Sequence, residues 1–153
     1  MTAPADERLG FENAYAAHRV PLLRLALLLT GSREQAEDIV QAVFTAAYGR
    51  WDDIDEPSAY LRRAVVNTSN DFHRHRAKAR RLTPIPEPVT AIPEVDETWA
   101  VLIRLPVRQR TVVVLHFYED QSLADIGRLL GRPAATVRSD LRRALTTLRT
   151  ELS

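Results

Sequence analysis

Apolar residues recur at helical spacing along most of the chain, and turn-forming residues divide them into segments. The first segment ends near Thr30 and Gly31, and its apolar positions are Phe11, Tyr15, Val20, Leu22, Leu23, Leu25, Leu27 and Leu28. This spacing predicts a first helix that follows a loose end at residues 1–7. Pro21 lies inside the pattern and is expected to bend or interrupt this helix, because proline lacks the backbone N–H that an inner helical position donates.

A second helix is predicted to begin at Ser32 and to end at Gly49. Ser32 and Gln35 have the spacing of a capping box, in which each side chain satisfies a backbone N–H of the other residue. The apolar face of this helix consists of Ala36, Ile39, Val40, Val43, Phe44 and Ala47. A separate polar ridge consists of Asp38, Gln41 and Thr45. Periodicity alone favours solvent over a docking partner as the neighbour of this ridge.

A third helix is predicted from Pro57, a residue suited to the first helical position. Its pattern falters over residues 67–71, where five polar, turn-prone side chains compete for backbone hydrogen bonds and predict a kink or a short loop. A basic helix is expected to follow over residues 72–81. Aromatic residues beside such a loop, with basic residues after it, fit the capture of an unpaired nucleic-acid strand. A solvated helix end explains the same residues equally well.

Residues 82–98 contain four prolines and four acidic residues without apolar periodicity, which predicts an extended acidic linker. Beyond it, apolar residues from Trp99 to Phe117 predict two further helices. Their valines favour strands, but the length and the neighbouring residues favour helices.

The stretch 121–149 predicts two helices joined by a tight turn. Ser122 is a good helix cap, Gly131 can adopt the left-handed conformation that ends a helix, and Pro133 suits the start of the next one. The second helix combines an apolar stripe with arginines on its other faces, namely Arg138, Arg142, Arg143 and Arg149. A short basic helix held in this way fits the major groove of DNA. The alternative is an amphipathic helical hairpin with a solvated basic face.

These patterns predict an all-α protein of two small helical domains in a chain of 153 residues. The absence of cysteine excludes a disulfide framework, a thiolate metal site and a cysteine nucleophile. His73 and His75 point to different helical faces without a third ligand at metal spacing, whereas His18 and His116 are isolated and are expected to be packing or surface residues. We therefore expect no metal and no cofactor.

Charge is segregated along the chain although the net charge is only +1. Acidic residues collect over 34–56 and 87–97, and basic residues collect over 62–81 and 132–149. A nucleic-acid role would therefore depend on local basic surfaces and not on bulk charge. No apolar run is long enough to insert into a membrane, and the N-terminus lacks the pattern of a signal peptide, so we expect a cytoplasmic protein.

Three motifs in this order resemble the extracytoplasmic-function sigma factors of bacterial RNA polymerase. They are GSREQAEDIVQAVF (31–44), AYLRRAVVNTSNDFHRHRAKARR (59–81) and LPVRQRTVVVLHFYEDQSLADIGRLLGRPAATVRSDLRRALTTLR (105–149). The resemblance implies that residues 8–81 form sigma region 2, that residues 82–98 form the linker, and that residues 99–151 form sigma region 4 with its helix-turn-helix. It also implies a protein without catalytic activity that binds core RNA polymerase and directs promoter-specific initiation.

The same resemblance implies roles for individual residues. The polymerase-binding surface would be the ridge Asp38, Gln41 and Thr45. Residues that recognise the minus-ten promoter element would be Tyr60, Asn67, Ser69, Asn70, Asp71, Arg74, Arg76 and Lys78. Residues that contact the minus-thirty-five element would be Arg132, Thr136, Arg138, Ser139, Asp140, Arg142 and Arg143.

Two positions depart from the family pattern. Ala42 stands where the family commonly has glutamate in its polymerase-binding helix, and Asp140 stands where many members have arginine. An aspartate beside the major groove repels phosphate but can accept a hydrogen bond from the cytosine amino group, so we expect Asp140 to trade DNA affinity for base preference.

The resemblance further implies an anti-sigma factor as a partner, besides core polymerase and promoter DNA. The main alternative function is a stand-alone helix-turn-helix transcriptional regulator, which would bind palindromic duplex without polymerase. A small enzyme is disfavoured because the sequence contains no convergent nucleophile, base or metal constellation.

Overall fold

The computed structural model describes residues 4–80 and 97–152, with side chains for residues 10–72 and 99–152. The first three helices are α1 (Pro4–Thr30), α2 (Arg33–Gly49) and α3 (Pro57–Arg80), with a 3₁₀ turn at Trp51–Asp53. They are followed by α4 (Glu97–Arg104), α5 (Val107–Val113), a π-helical turn (Val114–Tyr118), α6 (Leu123–Leu130) and α7 (Ala134–Leu152). The described residues contain no strand, so the prediction of an all-α protein is confirmed.

The helix ends agree with the local sequence signals. Ser32 Oγ accepts a hydrogen bond from the Gln35 backbone N–H at 3.3 Å, and Ser122 Oγ accepts one from Asp125 at 3.0 Å. The Ser32 N–H donates to Thr30 Oγ1 at 3.3 Å, so the serine half of the predicted capping box is the half that forms. Gly131 ends α6 with φ +68°, in the left-handed region. Each of these signals acts over four residues or fewer, which is why the sequence alone predicted them.

The predictions of an interruption at Pro21 and of a loop over residues 67–71 are corrected. Helix α1 continues through Pro21, and its next residues include six buried leucines, Leu22, Leu23, Leu25, Leu27, Leu28 and Leu29. Burial of these side chains at about 1.5–3 kcal/mol each outweighs the roughly 3 kcal/mol that an interior proline costs.

Helix α3 likewise continues through residues 67–71, where a kink or loop was expected. Ser69 and Asn70 are buried, and the Asn70 side chain donates to the Leu129 carbonyl at 2.8 Å instead of competing for its own backbone. A partner from another helix thus removes the competition on which the loop prediction depended.

Two groups of helices share one apolar core. Helices α1, α2 and α3 pack on one another, α5 and α6 pack on α7, and α1 also packs on α5. The linker prediction for residues 82–98 falls mostly outside the described residues, and its last two positions already belong to α4.

Arg110 joins the two groups of helices. Its side chain is 2% exposed, and its Nε donates to the Leu28 carbonyl at 2.5 Å. Its Nη1 donates to the carbonyls of Ile103 at 2.7 Å and Leu105 at 3.2 Å. These carbonyls lie at the C-terminal ends of α1 and α4, where helix dipoles favour a cation. Burial lowers the pKa of Arg110 to about 10, so the group remains charged at neutral pH.

Gly31 makes room for this guanidinium. Its φ is +74°, and a Cβ added there would lie 2.6 Å from Arg110 Nη2. The guanidinium is held at Nε and Nη1 by three carbonyls, so it can yield to a Cβ only by losing hydrogen bonds.

We predict that Gly31→Ala destabilises the protein more than Gly131→Ala, which is the matched control. Both positions have positive φ, but a Cβ at Gly131 meets nothing within 4 Å. Gly131→Ala should therefore cost only the left-handed strain of about 1–2 kcal/mol. Gly31→Ala should cost about 2–4 kcal/mol, since displaced Arg110 leaves buried carbonyls unpaired. Urea unfolding measures both, and equal losses would contradict the role assigned to Arg110.

Candidate nucleic-acid and polymerase interfaces

Helix α7 presents an arginine-rich surface opposite its apolar side. Its inner residues include Val137, Leu141 and Ala144, which are buried. Four of the predicted minus-thirty-five residues are exposed on the other side, namely Arg138, Ser139, Arg142 and Arg143. Thr136 is half-buried near the start of the helix. Helical spacing therefore separates the apolar side from a basic surface that is free to meet a ligand.

The turn between α6 and α7 is tight because of one close backbone approach. A Cβ added at Gly127 would lie 2.6 Å from the Arg132 carbonyl oxygen, and the Arg132 N–H donates to the Gly127 carbonyl at 2.9 Å. Only a residue without a side chain permits this approach. Together with the left-handed Gly131, it sets the direction in which α7 leaves the turn.

Asp140 differs from its predicted role. Its side chain lies on the inner side of α7 and the residue is 4% exposed. Its Oδ2 accepts hydrogen bonds from Arg108 Nε at 2.9 Å and from Arg132 Nη1 at 3.4 Å. The expected contact of this carboxylate with a cytosine amino group is therefore corrected, because a carboxylate buried against two guanidinium groups is not available to a base edge.

The predicted minus-ten residues divide into an exposed set and a covered set. Asn67 and Asp71 are exposed and Tyr60 is half-buried, whereas Ser69 and Asn70 are buried. Arg74, Arg76 and Lys78 belong to α3, but their side chains lie outside the described residues.

Helix α6 covers Asn70, whose side chain donates a hydrogen bond to the Leu129 carbonyl. A buried Ser69 Oγ without a partner among the described residues lies next to it. Loss of the contact with α6 would therefore free the Asn70 amide, whereas Ser69 lies four residues after the fully buried Val65 on the same helix.

A cleft of about 1140 Å³ separates α3 from the loop that precedes α6. Tyr60 and Asn67 line one wall, and Glu119 and Asp125 line the other. Arg62 bridges the cleft with a forked ion pair, from Nη2 to Glu119 Oε1 at 2.5 Å and from Nε to Oε2 at 3.3 Å. Sequence reasoning missed this pair because its residues are 57 positions apart and neither breaks a local pattern.

The polar ridge on α2 is open. Asp38, Gln41 and Thr45 are all exposed, and the Thr45 hydroxyl donates to the Gln41 carbonyl at 2.8 Å. Asp38 and Gln41 also line a hollow of about 270 Å³ beside Arg19 and Leu23 of α1. A ridge next to a hollow that is lined mainly by charged and polar residues offers a protein partner polar contacts at two depths.

Residues 10–72 and 99–152 offer no second kind of site. No three His, Asp or Glu side chains there come together as metal ligands. The His116 Nδ1 lies 2.9 Å from the Gln121 carbonyl, which accounts for this ring as a packing residue. Among the helices of the described part, none has the length and apolar content that a bilayer span requires.

Family comparisons match both groups of helices. The family described as "Sigma-70 region 2" matches residues 14–79, and the family described as "Sigma-70, region 4" matches residues 96–148. An RNA polymerase sigma-E factor of Streptomyces coelicolor is 36% identical, over 95% of this chain and 88% of that protein. The ECF RNA polymerase sigma factor SigM of Mycobacterium tuberculosis is 35% identical, over 92% of this chain and 76% of that protein.

Solved structures show the same fold at lower identity. The sigma factor RpoE of Bartonella quintana, in complex with the anti-sigma factor NepR, is similar with a TM-score of 0.56 and 21% identity, over 94% of this chain and 96% of that one. CnrH, in complex with the cytosolic domain of CnrY, has a TM-score of 0.50 and 24% identity, over 95% and 88% of the two chains. With two consecutive sigma-70 regions and relatives above 30% identity along nearly its whole length, the chain belongs to the extracytoplasmic-function sigma factors of bacterial RNA polymerase.

Proposed function

We propose that this protein joins core RNA polymerase as its sigma subunit and directs transcription initiation from specific promoters. The observation that carries the proposal is the exposed arginine surface of α7 behind the tight turn at Gly131, in a chain that also has region 2. A regulator of the helix-turn-helix class needs the first feature but not the second. The chain itself carries out no catalysis in this scheme, and it acts in the cytoplasm.

In the proposed complex, α7 enters the major groove of the minus-thirty-five element. Arg138, Ser139, Arg142 and Arg143 are the base-reading and backbone-binding candidates, since they are exposed on one side of the helix. Thr136 and Arg132 contact phosphate near the start of the helix. Asp140 is removed from the readout because it is buried.

Region 2 reads the minus-ten element as an unpaired strand. Asn67 and Asp71 offer hydrogen-bonding groups to the edge of an extruded base, and Tyr60 offers a stacking wall. Asn70 joins them once α6 has moved away. Arg74, Arg76 and Lys78 hold the nearby backbone, which adds affinity with little sequence preference.

The ridge Asp38, Gln41 and Thr45 binds the polymerase. Its exposure and its neighbouring hollow support this role, which solvation alone would not require. One of the two similar solved structures is a sigma factor in complex with an anti-sigma factor, and we extend that partnership to this chain as an anti-sigma factor that covers the same surfaces.

Run-off transcription from fragmented host DNA tests the proposal. Purified sigma-free core polymerase should start at new discrete sites only when the protein is added, and the mapped starts would yield the promoter motif. Absence of new starts together with a failure to co-migrate with core polymerase would contradict it. Binding of the isolated protein to palindromic duplex would then identify a stand-alone regulator.

We predict that Asn67→Ala and Asp71→Ala impair promoter opening more than polymerase binding. Both side chains are exposed, so their removal leaves the packing of α3 intact. Opening is followed by permanganate reactivity of unpaired thymines, and polymerase binding by co-migration with core. The matched control is Asp52→Ala, an exposed acid on the 3₁₀ turn. An equal loss of promoter opening and polymerase binding would show that these residues have only a structural role.

Simultaneous reading of both promoter elements requires α3 and α6 to separate. The elements lie about 25 base pairs apart, which is roughly 85 Å of duplex at about 3.4 Å per base pair. A compact chain of this length is only about 40 Å across. Asn70 is also buried while its amide donates to Leu129, which keeps this side chain from a base.

We predict that Glu119→Arg and Arg62→Glu each favour the separated arrangement, and that the double variant restores the compact one. Each single change places like charges across the cleft that the forked ion pair now bridges. The radius of gyration of the free protein, from small-angle scattering, should rise in the single variants and return in the double variant. Arg33→Glu is the control, since Arg33 pairs with Glu37 inside α2. A double variant as expanded as the single ones would exclude the ion pair as the cause.

A further inference from the structure

Two arginines converge on the buried carboxylate of Asp140. Arg108 comes from the first turn of α5, and its side chain is 53% exposed; Arg132 comes from the turn before α7, and its side chain is 28% exposed. Each guanidinium has five N–H donors, of which the carboxylate engages only a part. The cluster therefore has one net positive charge and N–H donors beyond those that Asp140 engages, on arginines that solvent reaches.

The electrostatic balance of this cluster favours an added anion. The pKa of Arg132 is lowered by burial first and by the charge of Arg108 second, while Asp140 opposes the shift. Two guanidinium groups are thus close enough to repel each other, and one carboxylate compensates them incompletely. A phosphate group would relieve that repulsion with charge-assisted, bidentate hydrogen bonds.

Stability alone does not explain the cluster. A buried ion pair is often no more stabilising than apolar residues of the same volume, because both charges must be desolvated. Asp140 lies among Val137, Leu141 and Ala144 on the inner side of α7, where an apolar residue would also pack. What the carboxylate adds is a fixed direction for two long side chains that would otherwise sample many rotamers.

The cluster lies at the edge of the proposed DNA-binding surface. On a helix, the neighbours of position 140 at i−4 and i+3 are Thr136 and Arg143. Both are minus-thirty-five candidates. Phosphates border the major groove on either side of an inserted helix, so an arginine beside these two residues is placed for the backbone and not for a base.

We propose that Arg108 and Arg132 form a phosphate-binding pair at the edge of α7 and that Asp140 is the residue that positions them. The pair takes a backbone phosphate of the duplex that α7 reads, and it contributes affinity without sequence choice. Arg108 is thereby added to the DNA-binding residues, and Asp140 acts through the two arginines. This inference rests on the proposed function of α7.

The test is the salt dependence of promoter binding by holoenzyme assembled with the full chain. On a promoter fragment mapped by run-off transcription, Arg108→Gln should weaken binding about tenfold at low salt. It should reduce the slope of log K against log salt by about one, since one phosphate contact is lost. The loss should be equal on a fragment with a scrambled minus-thirty-five element. Arg104→Gln is the control, since Arg104 is exposed and pairs with Glu151 away from Asp140.

The positioning role of Asp140 is tested by coupling. In an Asp140→Asn background, Arg108→Gln should cause little further loss of affinity, because Arg108 is already released. Asp140→Glu, which keeps the charge, should restore part of the salt slope and shows that any loss is not a failure to fold. Full additivity of Asp140→Asn and Arg108→Gln would overturn the positioning role.

The remaining outcomes separate this inference from the proposed function. A wild-type slope for Arg108→Gln in a holoenzyme that binds its promoter normally would overturn the phosphate pair alone, as would a loss confined to the intact minus-thirty-five element. A wild-type protein that does not bring core polymerase to the promoter would overturn the proposed function and the inference with it.

Discussion

The arrangement of both groups of helices depends on one buried cation. Arg110 crosses from α5 to the C-terminal end of α1 and at the same time closes the end of α4, so one guanidinium satisfies carbonyls at the ends of two helices. Its position requires a residue without a side chain at Gly31. Desolvation disfavours the charge, and the carbonyls compensate it only in part, since the pKa is lowered to about 10 and Nη2 has no partner among the described residues. Removal of either partner would leave the other buried and unsatisfied.

Local signals and long-range contacts were predicted from the sequence with different success. The caps at Ser32 and Ser122 and the turn at Gly131 were confirmed because each is complete within a few residues. The loop expected over residues 67–71 was wrong because the partner of Asn70 lies 59 residues away. Rules of periodicity and propensity describe near neighbours in sequence and do not predict a contact across 59 residues.

Buried charged residues were the second source of error, and their burial could partly have been predicted from their helical positions. Arg110 precedes Val113 and Val114 by three and four positions, so it falls on the apolar face of its helix, a placement that indicates a cation with buried partners. Asp140 shares its face with Val137 and Ala144 in the same way. Its helical position therefore indicated burial in the core, whereas the family pattern led to the prediction that Asp140 contacts a base in the major groove.

The contacts that hold the two groups of helices together involve, or lie beside, the side chains proposed to recognise the minus-ten element. The Asn70 amide is bound to the Leu129 carbonyl and would have to leave it to bind a base. The ion pair of Arg62 and Glu119 spans the cleft that Tyr60 and Asn67 line. Individually these contacts are worth about 0.5–3 kcal/mol, since they are single or charge-assisted hydrogen bonds at a partly hydrated surface. Separation also costs the bond from Arg110 to the Leu28 carbonyl, whereas its bonds to Ile103 and Leu105 stay within the second group. Polymerase and DNA binding must therefore supply the free energy of opening, and the strength of the closed contacts sets how much of the binding energy remains for promoter choice.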